Sequence, residues 1–142
     1  MKKTIFLFLI ALLAVACQGP VGPEGPQGYG TNWKIINLTA SASDWIQKTD
    51  KDGLNMYYTC HFSMPEINST VYNDGSVITY IYLDGGQQPL PFVRHYQDKT
   101  GALWTETTDF NYTQGGLDVY ITYSDFAAIA PPAMNFRVVL MW

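Results

Sequence analysis

The stretch LNMYYTCHFSM (Leu54–Met64) decides the fold. Leu54, Met56, Tyr58, Cys60, Phe62 and Met64 fall on one parity, and Asn55, Tyr57, Thr59, His61 and Ser63 fall on the other. Side chains alternate between the two sides of a β-strand, whereas a helix returns to the same side every 3.6 residues or so. The alternation predicts a strand that buries one side, with Cys60 packed as a small hydrophobe and His61 turned the opposite way.

Outward from this stretch the same period recurs. WKIINLTA (Trp33–Ala40), SVITYIYL (Ser76–Leu83) and LPFVRHYQ (Leu90–Gln97) are rich in the β-branched and aromatic residues that suit a pleated, half-buried surface. LWTETTDFNY (Leu103–Tyr112) places Trp104, Phe110 and Tyr112 on one parity, and GLDVYITYS (Gly116–Ser124) alternates Leu117, Val119, Ile121 and Tyr123. MNFRVVLMW (Met134–Trp142) gathers Phe136, Val138, Leu140 and Trp142. Turn signals separate these runs: Asp52-Gly53, Asn73-Asp74-Gly75, Asp84-Gly85-Gly86, Lys99-Thr100-Gly101 and Gly115-Gly116. PEINSTVYN (Pro65–Asn73) has room for one helical turn, with proline at its first position. About seven strands with one apolar side each predict an all-β domain, an antiparallel two-sheet sandwich of immunoglobulin-like or jelly-roll topology. A small closed β-barrel is the alternative, because alternation is common to both.

The start of the chain has a different character. Lys2 and Lys3 precede the uncharged run Ile5–Val15, and Ala14-Val15-Ala16 closes it before Cys17. A short basic region, an apolar stretch and small residues at its end describe a secretory signal over residues 1–16. The apolar run is shorter than the roughly 20 residues a membrane-spanning helix needs. Gly19, Gly22, Gly25 and Gly28 then recur every third residue, each of the first three followed by a proline, in GPVGPEGPQG. This is the Gly-X-Y period of collagen. Within the tether at residues 17–31, the dozen residues after Cys17 reach roughly 40 Å as an extended spacer at ~3.1 Å per residue. Trimers crowded on one membrane would be able to zip so short a block only weakly, and a monomer is the simpler state.

The sequence AVAC (Ala14–Cys17) resembles the lipobox of bacterial lipoproteins, although Ala14 stands where leucine is usual and Leu13 lies one position earlier. With the GPVGPEGPQG linker and the strand-rich remainder, the chain looks like the collagen-like lipoproteins of Gram-negative bacteria. The resemblance implies a diacylglycerol on the Cys17 sulfur, an acyl chain such as palmitate on its amino group, and cleavage just before it. Gln18 in place of an aspartate implies the outer membrane. The alternative is an ordinary A-x-A cleavage site, with Cys17 as a plain first residue. The resemblance carries over no activity and no ligand site.

Residues 32–142 suffice for one small domain. Removing the leader takes 2 of the 8 basic residues and none of the 12 acidic ones, leaving 6 against 12. Nothing basic is clustered, which argues against nucleic acid as a partner. There is no G-x-S-x-G elbow, phosphate-binding glycine loop or H-E-x-x-H motif, so no catalytic residue, metal ligand or cofactor is assigned. Asp50-Lys51-Asp52-Gly53 echoes part of a calcium loop but lacks the later acidic ligands, and reads as a turn. His61 and His95 lie on separate strands without ligand spacing.

The compositional oddity is aromatic. Tyr57, Tyr80, Tyr82 and Tyr120 fall on the parity opposite the expected core. An open face carrying them would offer flat rings beside polar groups, which suits a glycan or peptide. The expectation is a membrane-anchored, non-catalytic envelope protein serving as a binding or structural module. A glycan- or peptide-binding role through a tyrosine face is the alternative, and a hydrolase ranks last.

Overall fold

The computed structural model describes residues 30–142. The signal region, Cys17 and the Gly-X-Y run lie outside the described residues. Within them the chain forms nine strands and one short helix: β1 (Trp33–Ala40), β2 (Ile46–Thr49), β3 (Met56–Met64), α1 (Ser69–Asp74), β4 (Ser76–Leu83), β5 (Gly86–Pro89), β6 (Phe92–Gln97), β7 (Leu103–Thr113), β8 (Gly115–Tyr123) and β9 (Met134–Met141). They build a four-stranded sheet in the order β1-β9-β4-β5 and a five-stranded sheet in the order β2-β3-β8-β7-β6. Every pairing is antiparallel. Neither sheet closes on itself, so the fold is a sandwich and not a barrel.

The inner sides of both sheets supply the core. Val77 and Ile81 of β4 and Phe136, Val138 and Leu140 of β9 come from one sheet. Tyr58, Cys60 and Met64 of β3 and Leu117, Val119 and Ile121 of β8 come from the other. These side chains are almost wholly withdrawn from water, and each such burial contributes about 1.5–3 kcal/mol before chain entropy is counted. Residues 31–142 form one self-contained unit that includes this entire buried cluster.

Three local expectations are corrected. Leu54 is 73% exposed, because the Asp50–Asn55 turn delays the strand until Met56. The helix begins at Ser69 rather than Pro65, since the Asn68 side-chain oxygen accepts the Val71 N–H at 3.0 Å and caps it there. Gly75 ends that helix at φ −103°, so it supplies no left-handed turn. Asp84 and Gly85 do, at φ 52° and 78°, and the resulting two-residue hairpin creates β5, a strand that the sequence does not announce.

Candidate functional site

The outward side of the five-stranded sheet is built by the residues alternating with the core. Register aligns Ile46, Thr59, Tyr120 and Asp109 in one row across β2, β3, β8 and β7. His61, Asp118 and Asn111 form the next row across β3, β8 and β7. Thr122, Thr107 and Val93 form a row on the other side of Tyr120. Tyr57, paired with Lys48 of β2, adds a second outward ring, so two aromatic rings stand among hydroxyl, amide, carboxyl and amine groups.

The rings of Tyr57 and Tyr120 lie 5.9 Å apart at 59°. Asn111 Nδ2 donates to the Tyr120 hydroxyl oxygen at 2.8 Å, fixing the ring from the β7 side. His61 Nδ1 and Asp118 Oδ1 are 2.9 Å apart. The imidazole lies over Gly116, where an added Cβ would come 2.8 Å from His61 Cε1, so glycine makes room for that ring. Tyr57, Asp109, Asn111, Tyr120 and Thr122 line a shallow groove of about 370 Å³. Partial burial raises the Tyr120 phenol above its ordinary value, helped by the nearby Asp118 charge. Burial likewise pushes the Asp109 carboxyl up. Tyr120 therefore keeps its phenolic proton across the neutral range and remains able to donate a hydrogen bond.

The four tyrosines do not share one face. Tyr57 and Tyr120 belong to the five-stranded sheet, whereas Tyr80 and Tyr82 sit on β4 of the other sheet. All four point outward from their own sheet, but the outward sides of two packed sheets look away from each other. There Tyr80 stands between Arg137 of β9 and Pro89 of β5, and the Tyr82 hydroxyl reaches Asn37 Oδ1 at 3.4 Å. The groove's polar members, Asp109, Asn111 and Thr122, were not singled out by sequence reasoning. Their signal was present as the polar parity of two adjacent strands, but nothing marked β7 and β8 as neighbours of Tyr57.

Other candidates resolve into structural roles. Cys60 is a free thiol in the core, and burial, with the Asp44 and Asp118 charges behind it, pushes it up to about 11. It is protonated at neutral pH and faces away from His61, so it lacks both the thiolate and the base of a nucleophile. His61 and His95 share the outer side of one sheet, but β8 and β7 separate their strands. Three strand spacings put them at least about 14 Å apart, too far to ligate one ion. No cluster of three metal-ligating side chains exists among the described residues. In the Asp50–Asn55 turn, Asp50 Oδ1 accepts the Leu54 and Asn55 N–H groups and Asn55 Nδ2 donates to Oδ2, so both oxygens serve the turn. No helix among the described residues is long and apolar enough to cross a membrane. Compared with protein families, curated proteins and solved structures, the chain matches none.

Proposed function

We propose that this is a lipid-anchored protein of the bacterial outer membrane whose β-sandwich is a non-catalytic binding module, with neutral carbohydrate as the ligand of the Tyr57–Tyr120 groove. One observation carries the ligand: two outward tyrosine rings 5.9 Å apart, set beside Asp109, Asn111 and Thr122 in one open groove. A pyranose ring has an apolar C–H side that packs on an aromatic ring and a rim of hydroxyls that needs donors and acceptors nearby. The groove offers both. Its shallowness suits the side of a polymer rather than an enclosed small molecule. Asp109 is the charged member of the groove lining, Lys48 stands opposite Tyr57 at its edge, and the exported chain carries twice as many acidic as basic residues. The overall acid excess favours uncharged sugars over acidic ones.

The anchor reading rests on the basic leader, its apolar run and the AVAC motif at Ala14–Cys17. Two or three acyl chains would hold the protein to a bilayer, at about 0.8 kcal/mol per buried CH₂.

Residues 31–142 and the full chain serve as separate test objects. The isolated domain is expected to bind at least one neutral polysaccharide in affinity electrophoresis. Tyr57→Ala and Tyr120→Ala should each weaken that binding about tenfold, the equivalent of ~1.4 kcal/mol, while Tyr82→Ala leaves it unchanged. Equal retention of the groove variants and the parent would overturn the carbohydrate reading. In cells, a clickable fatty acid should label the full chain but not its Cys17→Ser variant. Label that persists in the variant would remove the anchor.

A further inference from the structure

A second cavity lies at one end of the sandwich, on the inner side of the five-stranded sheet and so on a different surface from the groove. Leu103 opens β7 and Tyr123 closes β8, so both strands terminate there. The β6–β7 hairpin and the connection from β8 to β9 wall it. About 440 Å³ is enclosed by Asp98, Ala102, Leu103, Trp104, Tyr123, Asp125, Ala127 and Ile129. That is the size of a small-molecule site.

Its aromatic wall is held rigidly. Trp104 stacks on Tyr96 with centroids 4.1 Å apart and planes 11° apart, and it meets Tyr123 edge-on at 5.6 Å. Tyr123 in turn packs edge-on against buried Tyr58 at 6.3 Å. Wall rings clamped in this way keep their place with the cavity open. The rim is unusually apolar for a surface: Leu103 is 78% exposed and Ile129 68%. Neither packs into the core, so their apolar area is free for an occupant.

The charge of the lining has one sign. Its two charged members, Asp98 and Asp125, are both carboxylates. Asp98 Oδ1 accepts the Thr100 N–H and hydroxyl at 2.7 and 2.6 Å and the Ala102 N–H at 3.0 Å. Asp125 Oδ1 accepts the Ala127 N–H at 3.1 Å. Each carboxylate is thereby oriented through one oxygen. Neither Lys99 nor Arg94 lines the cavity. Arg94 lies across Tyr96, 5.3 Å from its ring centroid, and pairs with Asp84 at 3.2 Å. A tryptophan face, a tyrosine and two carboxylates around an apolar hollow form the environment in which an organic cation is attracted by rings and charges together.

We infer that the Trp104–Tyr123 cavity binds a small organic cation, a primary or substituted ammonium on a flat or aliphatic body. The body fills the apolar hollow between Trp104, Leu103 and Ile129, and the ammonium is held by Asp98 and Asp125 at the rim. This site is independent of the carbohydrate groove.

The test uses the intact domain at neutral pH, titrated with phenethylamine, 2-phenylethanol and phenylacetate while tryptophan emission is followed. The amine is expected to produce a saturable change that is lost in Trp104→Phe, with an affinity about tenfold above that for phenylacetate. An Asp98→Asn/Asp125→Asn variant keeps the acceptor oxygens of both turns. It should remove the preference for the amine and leave binding of the alcohol in place. A circular dichroism melt matching the parent secures that comparison. Absence of a saturable response to the amine, or phenylacetate binding as tightly as the amine, would overturn the inference. So would a preference for the amine that survives in the double variant.

Discussion

Phe136→Ala is expected to lower the unfolding free energy by about 3–5 kcal/mol, the largest loss of any single side chain in this domain. The ring is completely buried on β9, a central strand flanked by β1 and β4. Its backbone partners are Leu38 on one side and Ile81 on the other. Across the sandwich it meets the Phe62 ring edge-on at 6.2 Å, and it meets Trp45 edge-on at 6.5 Å. Phe62 belongs to the five-stranded sheet, so Phe136 joins the two layers. Truncation leaves a void bordered by rings and paired strands, neither of which can collapse freely, and the cavity penalty adds to the lost transfer energy. A small domain has only about 5–15 kcal/mol in total. Urea unfolding should therefore show a midpoint lowered by about a fifth or more with an unchanged slope. Leu103→Ala is the control, since that side chain is 78% exposed and should cost less than about 0.5 kcal/mol. A Phe136→Ala loss as small as the control's would mean that the two sheets are not joined through this ring.

That core was legible in the sequence because it is periodic. Trp33–Ala40 and Ser76–Leu83 match β1 and β4 to the residue, and Phe136, Val138 and Leu140 face inward as their shared parity requires. The two strands that sequence reasoning missed have no such signal. β2 reads IQKT and is exposed throughout, and β5 reads GQQP. Both are four-residue edge strands, held by pairing with β3 and β4 rather than by an apolar side. Polar edges of this kind are how sheets avoid pairing with other chains, and they leave no periodicity to read.

The Tyr57–Tyr120 groove was half legible for a related reason. Parity states which side of its own sheet a residue takes, and all four tyrosines were placed outward correctly in that sense. Parity does not state which sheet a strand joins. That depends on β3 pairing with β8 and β4 with β9, contacts between strands far apart in the chain. Tyr57 and Tyr120 therefore meet, Tyr80 and Tyr82 go to the far side, and Asn111 and Asp109 arrive beside Tyr120 through the β7–β8 hairpin. The cavity walls were legible as core aromatics at Trp104 and Tyr123. Their exposure at the end of the sandwich follows from where β7 starts and β8 stops.

Gly75→Ala is expected to be the most damaging of the conservative glycine replacements, costing about 2–3 kcal/mol through overpacking. The reason is space and not dihedral freedom, because φ at Gly75 is −103°, open to any residue. The glycine joins α1 to β4 and donates its N–H to the Val71 carbonyl at 3.2 Å. An alanine Cβ would fall inside contact distance of the Met141 carbonyl oxygen, 2.8 Å from the Val71 carbonyl oxygen and 3.0 Å from Val71 Cα. All three are backbone atoms, so no rotamer change relieves the clash. Either the helix lifts from its packing through buried Val71 or the end of β9 shifts against β4. Gly53 makes the opposite case, with φ 75° and nothing near its Cβ position. Alanine there meets only local strain, about 1–2 kcal/mol. Thermal melts should rank the variants accordingly, with Gly75→Ala falling on the order of 10 °C and Gly53→Ala falling less. The Tyr57–Tyr120 groove belongs to the other sheet, so Gly75→Ala should retain the carbohydrate binding proposed for that groove below its lowered melting temperature. Equal melting points for the two variants would show that the helix–strand junction yields without cost, and loss of binding in the folded variant would tie the two sheets together in function.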